Sequence, residues 1–294
     1  MAIMGCNLKE VIEFENEIEK VKCQIKYDTS YQTDIINHGK NYDNLKKYFQ
    51  KFVRFFRYST EVKVDFVYRV RKCDINEPFT SRKDLIYPEP SKTQKDRMNN
   101  ARFRVLYVSL NEYTAIAESR MNHDYINKYF QLTRFAVNKP LKVFKLGRFS
   151  ELYLNTPRDS TMYKNELEQM FGSEYQDTTV QGYSALECAI LDILYSTDKN
   201  SYILSSILAD VIFTENKNID AILYPTMQNR YGINLAIKKE FVDEYLTISY
   251  SNLNKLIDVY SHGFYKYNTI EECIKIEDEN NLKFLKVNEQ ATYR

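Results

Sequence analysis

At 294 residues the chain is long enough for one large domain, or for a domain with an extension. With 44% hydrophobic and 28% charged residues it has a folding composition rather than a disordered one. A formal net charge of +1 supplies no global attraction to nucleic acid or to an anionic membrane, so both are disfavoured as partners.

The first element in chain order is an amphipathic helix over 8–26, where Leu8, Val11, Ile18, Val21 and Ile25 recur at helical spacing among acids and lysines. Its start lacks the basic-then-apolar pattern of a signal peptide, and no later run is apolar for long enough to cross a bilayer. That pattern predicts a soluble, cytoplasmic protein. A polar stretch, 27–42, leads to a second amphipathic helix over 44–58. The basic residues Lys46, Lys47, Lys51, Arg54 and Arg57 invite a nucleic-acid interface, but a solvated face opposite the buried stripe is the preferred account.

Residues 62–71, VKVDFVYRVR, alternate as a strand, with Val62, Val64, Phe66, Tyr68 and Val70 on one side and Val67, Arg69 and Arg71 on the other. Two arginines on one face are either a solvated edge or an anion grip. Residues 73–100 are polar and carry Pro78, Pro88 and Pro90, as a long loop does. Residues 103–109 read as a strand, and Ser109-x-x-Glu112 as the capping box of a following helix that carries Glu118. One strand–cap–helix unit thus gathers Arg97, Tyr107 and Glu118.

Two strands around Pro140 are predicted within 130–146, and 151–179 is too mixed to assign. Helices are predicted over 184–195 and 201–213, then a short buried strand over 219–224 closed by Pro225-Thr226, and another over 232–238. The end of the chain reads as a helix near 269–276 and a polar tail. The order of elements predicts an α+β fold with a mixed, mostly antiparallel sheet.

Five scattered cysteines and three distant histidines have no metal or redox spacing, so no metal is predicted. With seven glycines and neither GxGxxG nor GxxxxGK[ST], the chain has no dinucleotide or phosphate loop of the common kinds.

Three blocks give the chain a resemblance to the RES domain family. VYRVR resembles the family's early strand, with Arg69 at its arginine. Arg97, Asn99, Leu106, Tyr107 and Glu118 match the central block in order. DAILYPTMQNRYGINL resembles the late strand pair, with Thr226 where the family has serine. The resemblance implies an ADP-ribosyltransferase-like core with flanking helices over 61–250, leaving 1–60 as a helical extension and 251–294 as a C-terminal helix and tail. It implies an NAD phosphorylase or glycohydrolase that breaks the nicotinamide–ribose bond with phosphate or water as acceptor. NAD is then a substrate, and no cofactor is needed. Toxins that require a neutralising antitoxin or regulatory protein belong to such families, and a homo-oligomer is compatible with the assignment.

In this scheme Glu118 stabilises the positive charge that grows on the ribose. Arg69 and Arg97, with Arg71 in reserve, grip the pyrophosphate through planar guanidinium forks. Tyr107 stacks on a ring, Asn99 helps bind, and Thr226 donates to phosphate or ribose oxygens. The alternatives are ADP-ribosyl transfer to a macromolecule and a RES-like protein that binds nucleotide without turnover.

Overall fold

The computed structural model describes residues 6–55, 59–75, 77–88, 98, 103–173, 175–195, 201–229, 231–287 and 291–293. In chain order they form α1 (Leu8–Tyr27), α2 (Thr29–Ile36), α3 (Lys40–Val53), β1 (Ser59–Val62), β2 (Phe66–Cys73), α4 (Arg82–Leu85), β3 (Val105–Ser109) and α5 (Glu112–Glu118). Next come β4 (Tyr129–Val137), β5 (Leu141–Lys145), α6 (Arg148–Asn155), α7 (Thr161–Phe171), α8 (Asp177–Tyr195) and α9 (Ser201–Glu215). The rest is β6 (Ala221–Pro225), β7 (Ile233–Lys238), α10 (Lys239–Tyr245), β8 (Leu246–Val259), β9 (Tyr265–Cys273), β10 (Leu285–Lys286) and β11 (Ala291–Tyr293). No helix among the described residues is long and apolar enough to cross a membrane.

The fold is α+β, and the chain divides into two compact units. The first comprises residues 1–60, 94–103 and 144–219, so α6–α9 belong with the N-terminal helices. Helix α1 is fixed at its start by a reciprocal capping box between Asn7 and Glu10. It buries Val11, Phe14, Ile18, Val21 and Ile25, and Phe14 meets Phe52 of α3 at 4.6 Å between ring centroids. The polar stretch after α1 contains a helix, α2, because Asp28 caps it by accepting from the amides of Ser30 and Tyr31. Helix α8 passes within reach of the N-terminal backbone at Gly182, where a Cβ would stand 2.1 Å from the Cys6 carbonyl oxygen.

Part of the basic face of α3 is engaged with a neighbouring helix, while Lys47 and Lys51 stay exposed. Lys46 pairs with Asp210 of α9 at 2.6 Å, and Arg54 pairs with Glu215 at 3.0 Å. Tyr42 and Gln50 donate to the same two carboxylates, so this part of the face is a polar seam between two helices.

The second unit comprises residues 61–93, 104–143 and 220–294 and holds the sheet. Its strand order among the described residues is β1-β5-β6-β7-β3-β2-β4-β8-β9-β10, with β11 also on β9. β2 runs antiparallel to β3 and β4, β3 to β7, β6 to β7, β4 to β8, and β8 to β9. One face carries the main core, in which Val67, Leu106, Val108, Leu223, Leu235 and Ile237 pack with Leu85 and Phe241. On the other face Ile116 and Ala117 of α5 pack with Phe130, Leu132 and Leu256, and with Tyr68 and Val70.

Three local expectations are corrected. The strand over 62–71 is two strands, β1 and β2, separated at Lys63–Asp65. The helix near 269–276 is strand β9 instead: Tyr265, Tyr267 and Cys273 are buried, and pairing along β8 satisfies a backbone whose local pattern was ambiguous. Ser109 does not cap α5. It closes β3, and Asn111 is the cap, its side-chain oxygen accepting from the Thr114 amide.

Candidate functional site

The antiparallel register of β3 and β7 sets Ser109 directly opposite Asn234. The Ser109 hydroxyl donates to Asn234 Oδ1 at 2.7 Å. Asn234 Nδ2 in turn donates to Glu118 Oε1 at 2.9 Å. A carboxylate can only accept, so it fixes which end of the amide faces it, and the serine hydroxyl supplies the matching donor at the other end. Ser109 and Asn234 are buried, and Glu118 is half-buried as the last residue of α5.

Thr226 reaches the same oxygen from another direction. It follows the end of β6 at Pro225, and its hydroxyl donates to Glu118 Oε1 while accepting from the Gln228 amide at 3.0 Å. The Thr226 amide bonds the Gly232 carbonyl at 2.9 Å, which closes the turn between β6 and β7. Gly232 is required there by space: a Cβ would lie 2.4 Å from Thr226 Cγ2 and 2.6 Å from Thr114 Oγ1. Glu118 Oε1 thus receives two hydrogen bonds, and Oε2 receives none among the described residues. The cluster is a carboxylate held by one of its two oxygens.

Of the residues singled out in the sequence, the structure joins Glu118 and Thr226 by that hydrogen bond. Tyr107 lies two residues before Ser109 on β3, opposite Ala236, and so shares the face of Ser109 and Asn234. Arg69 does not share it. Tyr68 is the partner of Ser109 across β2 and β3, and strand alternation turns the next residue, Arg69, to the side of Val67 and the main core.

Arg71 faces the same way as Arg69 and is already used: its guanidinium donates to the Asp84 carbonyl and stacks 4.2 Å from the centre of the Phe79 ring. Burial in that setting pulls its pKa below the usual arginine value, against the opposing pull of Asp84. It holds the segment before β3 in place. Arg97 and Asn99 lie outside the described residues.

Asn234 and Ser109 were missed from the sequence. The signal for Asn234 was one amide inside the apolar run GINLAIK, a position that costs free energy unless a partner is present. Ser109-x-x-Glu112 reads as a cap in the sequence, a pattern that hides the availability of Ser109 to the neighbouring strand. Among the described residues no group of three or more His, Cys, Asp or Glu side chains could hold a metal ion.

The RES domain family model matches residues 66–248, more than half of the chain and all of the cluster just described. No curated protein matches. A solved structure, the crystal structure of the M. tuberculosis MbcT-MbcA toxin-antitoxin complex, contains a chain that is similar at 12% identity and a TM-score of 0.41, over 70% of this chain and 92% of that one.

Proposed function

This chain belongs to the RES domain family, and on that footing we propose that it is an NAD-degrading enzyme that cleaves the nicotinamide–ribose bond, with phosphate or water as acceptor. The observation that carries the proposal is the convergence of Thr226 and Asn234 on one oxygen of Glu118. NAD leaves nicotinamide as a neutral ring when the bond breaks, and positive charge collects on the ribose. A carboxylate whose orientation is fixed beforehand stabilises that charge without reorganising during the step. Its second oxygen, Oε2, orients the incoming water or phosphate, or takes a ribose hydroxyl. Asn234 and Ser109 hold Glu118, and Thr226 is both a clamp on it and a hydroxyl beside the reacting sugar. Tyr107, on the same face, is a platform for a ring.

The pyrophosphate grip is assigned to Arg97, with Asn99 beside it, and no longer to Arg71, which is engaged with Asp84 and Phe79. Arg69, whose strand position faces away from Glu118, is left out of the grip. An activity that drains NAD would arrest or kill a cell. It suits a toxin or defence effector and calls for a neutralising antitoxin or a regulatory protein.

The test is incubation of the purified full-length protein with NAD, with and without phosphate, while nicotinamide release is followed. Release that is lost in Glu118→Ala, with the protein still folded, supports the enzyme. Product analysis then separates phosphorolysis from hydrolysis. No release from the folded wild-type protein under either condition overturns the proposal, and NAD that still raises its melting temperature would favour a nucleotide-binding role.

A further inference from the structure

The sheet face that carries Glu118 has a second feature, built partly from residues beyond the family match. A cavity of about 630 Å³ opens beside the start of α5, over strands β2, β4, β8 and β9. Its lining includes Tyr68, Tyr250, Tyr267, Arg134, Asn252 and Glu272. That volume suits a small organic molecule. None of Glu118, Thr226 and Asn234 lines it.

The cavity has two separate poles. Arg134 is one. Its guanidinium lies between the Phe66 and Tyr250 rings, at 4.2 and 4.5 Å, and its Nη2 bonds Ser249 Oγ at 2.9 Å. No carboxylate pairs with it among the described residues. A cation already ordered by stacking loses little entropy when it meets an anion. Glu272 and Asn252 form the other pole. They are directly opposed across β8 and β9. Asn252 Oδ1 is buried without a hydrogen-bond partner, and Glu272 has no ion pair among the described residues. A carboxylate without an ion pair, lining a cavity, is a place for a donor with positive charge. The two poles lie on adjacent rungs, since Arg134 is opposite Tyr250 and Leu132 is opposite Asn252.

We propose that this cavity binds a zwitterion, a free α-amino acid with an aromatic or large apolar side chain. Its carboxylate meets Arg134, its ammonium meets Glu272, and its side chain lies against the tyrosines. A nucleotide fits less well, because two carboxylates, Glu112 and Glu272, line the space against one guanidinium. The site is independent of the chemistry assigned to Glu118.

The experiment is calorimetric and thermal-shift titration of the full-length protein with L-phenylalanine, N-acetyl-L-phenylalanine and L-phenylalaninamide, with L-leucine and AMP alongside. Free phenylalanine binds, and each derivative that lacks one charge binds about tenfold more weakly or worse. Glu272→Gln keeps the shape of the cavity and weakens phenylalanine by a similar factor. Arg134→Gln does the same, and because it also removes a stacked group its folding is checked by circular dichroism. Glu118→Ala leaves binding unchanged, which separates this site from the catalytic proposal. Equal binding of the charged and blocked forms, tighter binding of AMP than of either amino acid, no binding of either amino acid at millimolar concentration, or full affinity in Glu272→Gln would each overturn the inference.

Discussion

Replacement of Glu118 by glutamine isolates the charge of the cluster from its shape. Thr226 and Asn234 both donate to Oε1, and an amide oxygen can stand in the same place. The geometry survives, and only the ionic character of two hydrogen bonds is lost. Hydrogen bonds to a charged acceptor are worth about 1.5–3 kcal/mol and neutral ones about 0.5–1.5 kcal/mol. Weakening two of them therefore costs roughly 2 kcal/mol of stability, a drop of several degrees in melting temperature. The effect on catalysis is larger in consequence, because the variant has no negative charge to set against the ribose cation. A lost electrostatic group of this kind costs about 10²–10³ in kcat. The assay is nicotinamide release at saturating NAD, with circular dichroism and a thermal melt on the same sample. A folded Glu118→Gln protein that keeps more than about a tenth of the wild-type rate would refute the role given to the carboxylate.

Thr226→Val removes the hydroxyl at nearly constant volume and leaves Glu118 Oε1 one donor short and the Gln228 amide unpaired. NAD cleavage falls about tenfold or more, whereas Thr226→Ser keeps the hydroxyl and most of the rate in the same assay. Gly232→Ala drives a Cβ against Thr226 and Thr114. It destabilises by about 1–3 kcal/mol and lowers activity by displacing Thr226, as seen by denaturant titration and rate together. Arg71→Ala loses its contacts to Asp84 and Phe79. It increases proteolytic cleavage within residues 77–88 and leaves KM for NAD unchanged, whereas a raised KM would return Arg71 to the binding site. Lys46→Ala and Asp210→Ala break the same α3–α9 ion pair. A double-mutant cycle by thermal melting gives a coupling of at most about 1 kcal/mol, since both groups are partly exposed.

Helices α1, α3, α8 and α9 were legible because their signals are local, whereas α2, α4, α6 and α7 lie in stretches too polar or too mixed to show one. Apolar residues at three- and four-residue spacing in α1 and α3 reported buried stripes directly, and the structure buries Val11, Ile18, Val21, Ile25, Leu45, Phe49 and Phe52 as that spacing requires, although Leu8, at the start of the α1 pattern, stays exposed. β6 and β7 were legible for a similar reason, since short apolar runs bounded by turn residues have few other uses. Strands β8 and β9 were not. Leu246–Val259 and Tyr265–Cys273 mix polar and apolar residues on both faces because one face floors a polar cavity and the other carries buried hydrogen bonds such as Gln131 to Ser251. What makes 265–273 a strand is a neighbour within hydrogen-bonding distance, and no window of sequence contains that information.

The candidate site divides along the same line. Motif order located Glu118 and Thr226, and the fold brings them together although they stand 108 positions apart in sequence. Alternation in VYRVR showed that Tyr68 and Arg69 must point to opposite sides of the strand. It did not show which side α5 would cover. That choice is made by Ile116 and Ala117, which pack with Tyr68 and Val70 and so bring Glu118 to the tyrosine's face instead of the arginine's. Asn234 was hidden for a related reason. An amide in an apolar strand is costly unless two partners await it, and both partners, Ser109 and Glu118, come from one strand–helix unit more than a hundred residues earlier in the chain. Parity along a strand is a property of the sequence, whereas the identity of each face is a property of the packing. The catalytic assignment of Arg69 therefore turned on the one quantity that alternation cannot supply.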